Sequence, residues 1–160
     1  MTTDLAFRSP SMRLWIPAGA ALFIVALAVS AWMIPQLRLL HFLQAFIYVA
    51  IVILARRNSA WSFGAGAIMA VAWNSLNLFV THNTQAGLVA LWSFLHTGRA
   101  QRPLTIVILL GGIGHLVLML ACLSAILHLR TEEKKWWKFA GGGVVALAYL
   151  GLIVAIAKPR

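Results

Sequence analysis

The chain has 160 residues, 62% of them hydrophobic and 10% charged, with a mean hydropathy of +0.90. A soluble domain carries roughly a quarter charged residues, so this chain cannot cover a core with polar surface and takes lipid as its solvent. Its 13 Lys and Arg against three acids give a net charge of +10; they sit between apolar runs and at the termini, where orientation charges sit, and no compact basic domain that would read nucleic acid is present.

The first apolar run, Leu14 to Ile34, follows Arg13 and is closed by Pro35. Its Ala28-Val29-Ser30-Ala31 imitates a signal-peptidase site. The run exceeds the roughly 7–15 residues of a signal core, however, and reads as a retained helix. Pro17 falls in the first turn, where a missing N–H costs little.

The second span, Leu37 to Ala55, is stopped by Arg56-Arg57-Asn58. On it His41, Gln44 and Tyr48 fall at i, i+3 and i+7, one helical face. The third, Ala60 to Val80, repeats that spacing with Asn74, Asn77 and Thr81. An uncharged turn, Thr81 to Gln85, follows, and then the apolar piece Ala86 to His96. Eleven residues rise roughly 16 Å, about half the hydrocarbon thickness. The piece has no Lys or Arg face for the membrane surface, so it reads as a short half-inserted or interfacial helix over about 86–97.

The fourth span, Leu104 to Leu127, is begun by Pro103 and carries His115 and Cys122 on one face with Gly111. The fifth runs from Phe139 to Ala157. In the loop before it, Glu132 and Glu133 are the only acids beyond Asp4, and Trp136-Trp137 suits the headgroup zone. The sets Gly64, Gly66 and Ala70, and Gly111, Gly112 and Gly114, read as close-packing surfaces.

These runs predict an all-α integral membrane protein: one transmembrane domain over 1–160, a bundle of five transmembrane helices plus the short helix between the third and fourth. With the N-terminus inside, Arg8, Arg13, Arg56, Arg57, Arg130, Lys134, Lys135 and Lys138 face the cytoplasm. Arg38, Arg99, Arg102, Lys158 and Arg160 then face out, an eight-to-five split. That split predicts a multi-pass protein of the cell membrane with a cytoplasmic N-terminus. It is unchanged if the short piece spans as a sixth helix, so charge does not choose between five and six; length favours five.

The absences limit the chemistry. No Asp, Glu, Lys or Arg lies inside a span except at its ends, which removes intramembrane carboxylate proton relays, cation sites, di-metal centres and aspartyl proteolysis, and the lysine of a retinal Schiff base. The single cysteine, Cys122, excludes an internal disulfide and a Cys-x-x-Cys centre. Ser75 and His82 lie seven residues apart with no nucleophile elbow.

The neutral polar faces remain. Hydrocarbon offers them no hydrogen bonds, so they are expected to turn toward one another below the outer surface, under the Thr81–Gln85 turn. The ligand-binding set is then His41, Gln44, Tyr48, Asn74, Asn77, His82 and His115. Against it stands interhelical glue, at roughly 0.6–2 kcal/mol per bond. The function this predicts is non-catalytic: binding or passing a small neutral or anionic solute, with no cofactor. A redox alternative uses His41, His96 and His115 as ligands for haem b or a metal, or beside a quinone. A further alternative makes the chain an accessory subunit. The partners implied are the lipid bilayer and a second copy or a partner subunit, with no nucleic acid.

Overall fold

The computed structural model describes residues 12–99, 102–129 and 136–156, without the side chains of Met12 and Arg13. Among these residues every regular element is helical. Helix α1 is Met12–Met33, and a 3-10 turn at Pro35–Leu37 leads into α2, Arg38–Ala55. Helix α3, Ala60–Ser75, continues through a π-helical segment, Leu76–Val80. Then come α4, Asn83–Thr97, α5, Pro103–His128, and α6, Trp136–Ile156.

Five stretches are long and apolar enough to cross a membrane: Leu14–Met33, Pro35–Ala55, Ala60–Val80, Pro103–His128 and Trp136–Ile156. They match the expected spans within a few residues. The largest shift is in the fifth, which begins at Trp136 instead of Phe139: the tandem Trp forms the first turn of α6, with both rings exposed. The acids Glu132 and Glu133, with Lys134, Lys135, Lys158 and Arg160, lie outside the described residues.

Chain direction follows from which residues meet. Gly19 of α1 packs on Leu118 of α5, while Gly111 packs on Ala26, so α1 and α5 are antiparallel. Gly66 of α3 meets Cys122, and Asn74 meets Gly112, so α3 and α5 are antiparallel as well. The first turns of α3 and α6 lie together, Trp61 and Gly64 against Gly142 and Phe139. Helix α4 therefore starts and ends at one end of the bundle. The choice that charge leaves open is decided by geometry: the chain traverses the bundle five times.

Helix α4 is longer than the sequence suggests, 15 residues from Asn83. A Cβ on its Gly87 would stand 2.6 Å from the Thr105 carbonyl oxygen and 2.9 Å from Leu109 Cβ. From Gly87 to Thr97 the helix rises roughly 15 Å, so a helix running back along α5 from Pro103 would bring Gly87 near Ile113. Its contacts put the crossing within the first two turns of α5 instead. Leu88, Val89, Trp92 and Leu95 remain exposed on its other faces.

In lipid, helices associate through close packing more than through a hydrophobic drive, and the tightest contacts here are made by glycine. A Cβ at Gly64 would run into the Phe139 carbonyl, and one at Gly142 into the Trp61 carbonyl. At the α1–α5 crossing, a Cβ on Gly19 would stand 2.7 Å from the Leu118 nitrogen. Between these crossings the core closes on Ile16, Phe23, Tyr48, Ile51, Phe63 and Leu118. Cys122 is buried in this core, as a packing residue.

Candidate functional site

The polar residues form three separate arrangements. The first bridges α1 and α2 beside the Pro35 turn. Ser30 Oγ lies 3.0 Å from His41 Nε2, and His41 Nδ1 lies 3.0 Å from Gln44 Oε1. An amide oxygen only accepts, so His41 Nδ1 donates to Gln44 and Nε2 accepts from the Ser30 hydroxyl. Ser30 and Gln44 are buried, His41 only half so. The turn creates this meeting: Ser30 and His41 are nearly equidistant from Pro35 and Gln36, and antiparallel helices joined by a tight turn bring such positions together.

The second arrangement is the centre of the bundle. The Tyr48 hydroxyl lies 2.6 Å from His115 Nε2, and the imidazole is fully buried. Phe23 stacks on it at 3.8 Å between ring centroids, and Trp73 meets it edge-on at 4.9 Å. Four helices thus converge on one imidazole. Asn74 lies against Gly112, one turn before His115 on α5. Both Asn74 Nδ2 and His115 Nδ1 are buried with no hydrogen-bond partner in the protein.

The third arrangement shapes the corner between α3 and α4. Asn77 is buried, and its Nδ2 donates to the Trp73 carbonyl at 3.0 Å. Its Oδ1 accepts from Asn83 Nδ2 at 3.2 Å and Thr81 Oγ1 at 3.4 Å. His82 then takes a left-handed conformation, φ 55°, and α4 departs. The Gln85 amide crosses the corner to the Leu78 carbonyl at 2.7 Å. His82 is exposed.

The expected set of His41, Gln44, Tyr48, Asn74, Asn77, His82 and His115 therefore does not converge on one pocket. His41 joins Gln44, Tyr48 joins His115 with Asn74 nearby, and Asn77 and His82 belong to the corner. The physical reason is that each buried group takes the nearest partner that satisfies it. The histidines of the redox alternative are apart as well. His41 is held by Ser30 and Gln44, His115 is enclosed by aromatic rings, and the exposed His96 bonds the Trp92 carbonyl at 2.9 Å. Among the described residues no three His, Cys, Asp or Glu side chains gather as metal ligands.

Two grooves open between helices. One, about 320 Å³, lies between α2, α3 and α6, lined by residues such as Phe46, Ile51, Trp61 and Val145. Its hydroxyls are spent within the protein, Ser62 on the Ser59 carbonyl and Tyr149 on the Leu43 carbonyl. The other, about 490 Å³, lies between α1 and α2, lined by Ile24, Leu27, Leu39, Phe42, Arg38 and His41 among others. Arg38 Nε reaches the Ala31 carbonyl at 3.3 Å, which holds the guanidinium beside the first arrangement. No Asp or Glu is present among the described residues to neutralise it.

Ser30 and Arg38 escape a reading by helical faces, since neither shares a periodic polar stripe with other residues. The signal available for Ser30 was its symmetry with His41 about the Pro35 turn. No known protein family matches this chain, and no curated protein or solved structure matches it.

Proposed function

We propose that this multi-pass membrane protein binds a small anionic amphiphile in the groove between α1 and α2. The observation that carries the reading is the pairing of an otherwise apolar groove with Arg38 and His41. Ligand sites are mostly apolar clefts of roughly 300–1,000 Å³ with a few placed polar groups, and this groove has that make-up. Arg38 offers several donors to a carboxylate or phosphate, while Ile24, Leu27 and Phe42 suit an acyl chain. The groove between α2, α3 and α6 has volume but no free polar group to recognise a headgroup. Under the charge rule the Pro35 turn faces outward, which makes this a site of the outer leaflet.

Retention of phosphatidylglycerol by the detergent-purified protein, followed by native mass spectrometry, tests the reading against a neutral diacylglycerol. Phosphatidylglycerol is expected to stay bound preferentially. Arg38→Gln should weaken that retention about tenfold or more, since a charged hydrogen bond is worth roughly 1.5–3 kcal/mol. Equal retention of both lipids, or an unchanged Arg38→Gln variant, would sink it.

A further inference from the structure

We infer that Ser30, His41 and Gln44 form an acyl-transfer centre acting on ester-linked anionic amphiphiles that lie in the α1–α2 groove. The seat of the substrate rests on the binding reading above; the centre itself rests on side-chain geometry.

A serine becomes a nucleophile when a base lies within hydrogen-bond reach and a third group orients that base. Both distances are met: 3.0 Å from Ser30 Oγ to His41 Nε2, and 3.0 Å from His41 Nδ1 to Gln44 Oε1. The Gln44 oxygen keeps the imidazole proton on Nδ1 and leaves the Nε2 lone pair facing the hydroxyl. That is the tautomer a general base needs. A carboxamide in the orienting place also avoids burying a formal charge next to lipid.

The same bonds would satisfy three polar groups in a purely structural bridge. Access separates the two cases. The Tyr48–His115 pair is sealed, with both residues at 1% exposure or less. His41 is instead half-buried and forms part of the wall of the 490 Å³ groove. Arg38, anchored on the carbonyl of Ala31, is held one residue beyond the nucleophile.

In the first step Ser30 Oγ adds to the ester carbonyl carbon while His41 Nε2 takes the hydroxyl proton. The carbonyl electron pair moves onto oxygen, and the Arg38 guanidinium supplies the nearby positive charge. Collapse breaks the bond from carbon to the alcohol oxygen, which leaves with the proton from His41 and strands the acyl group on Ser30. Water then adds to the acyl carbon as His41 takes its proton. The fatty acid departs, and that proton returns to Ser30 Oγ.

The test uses the full chain in detergent and in vesicles. A long-chain alkyl fluorophosphonate is expected to label Ser30, located by peptide mapping. Vesicles holding acyl-labelled phosphatidylglycerol should release fatty acid. Ser30→Ala abolishes the label, and His41→Ala lowers release on the order of a hundredfold or more, the usual share of a general base. Gln44 is a positioning residue: Gln44→Leu should lose labelling, whereas Gln44→Glu, which keeps an acceptor oxygen, should retain it. No adduct on Ser30 together with no release above protein-free vesicles overturns the proposal, as does release by Ser30→Ala at the wild-type rate. Ether-linked phosphatidylglycerol, which cannot be cleaved, separates the two readings. Its preferential retention without an adduct sinks only the chemistry, whereas an adduct and release without its retention sink only the binding reading.

Discussion

The Tyr48 hydroxyl and the His115 imidazole meet at 2.6 Å in the middle of the bundle, each from a different helix and each closed off from the surroundings. Such a pair couples α2 to α5, two helices with little other contact, and the stack of Phe23 on the imidazole brings in α1. Tyr48→Phe leaves His115 Nε2 unpartnered, at a cost of roughly 1–3 kcal/mol. His115→Phe preserves a ring against Phe23 but strands the tyrosine hydroxyl. The double substitution should be less damaging than the two single effects summed, with a coupling of roughly 0.6–1.7 kcal/mol, the range of hydrogen bonds between membrane helices. Equilibrium unfolding in mixed micelles measures all four corners of that cycle; strict additivity would mean that the contact carries no energy.

Glycines at the crossings make a sharper contrast. Gly64 and Gly142 face backbone carbonyls of the partner helix, which cannot rotate away, whereas a Cβ at Gly151 would meet nothing within 4 Å. Gly142→Ala should therefore push α6 off α3 and destabilise the protein by about 1–3 kcal/mol, the usual cost of overpacking. Gly151→Ala should be neutral or stabilising by up to about 1 kcal/mol, since alanine restricts the unfolded chain. Thermal unfolding in detergent ranks the two, and similar melting temperatures would contradict the close approach of α3 and α6.

The spans were legible because some 20 apolar residues bounded by Pro or Arg leave little choice of structure in lipid. The clusters were legible only within one helix. The spacing of His41, Gln44 and Tyr48 correctly gives one face of α2, yet His41 and Gln44 turn to Ser30 while Tyr48 turns to His115. Which neighbour a polar face meets depends on how deeply glycine lets the helices approach, and single-helix periodicity carries no such information. The corner at Asn77 shows the same limit. Its 3.6-residue spacing from Asn74 reads as a continuing helix, but Asn77 donates to the Trp73 carbonyl and anchors Asn83, and the backbone widens to a π-helical register, closed by Thr81 N–H on the Leu76 carbonyl at 3.0 Å.

The antiparallel packing of α3 on α5 has a consequence for labelling from either side of a membrane. Gln36 and Gly98 lie at one end of the bundle and Arg57 at the other, because α4 returns to the end from which it starts. Cysteines placed singly at Gln36 and Gly98 should react with an impermeant maleimide from the same side, and one at Arg57 from the opposite side. The native thiol will not interfere, since Cys122 is fully buried. If α4 crossed as a sixth span, Gly98 would label together with Arg57 instead. The charge distribution adds the sign: with eight of the thirteen basic residues on the Arg57 side, that side should be the cytoplasmic one, and in intact cells Gln36 and Gly98 should label while Arg57 stays protected.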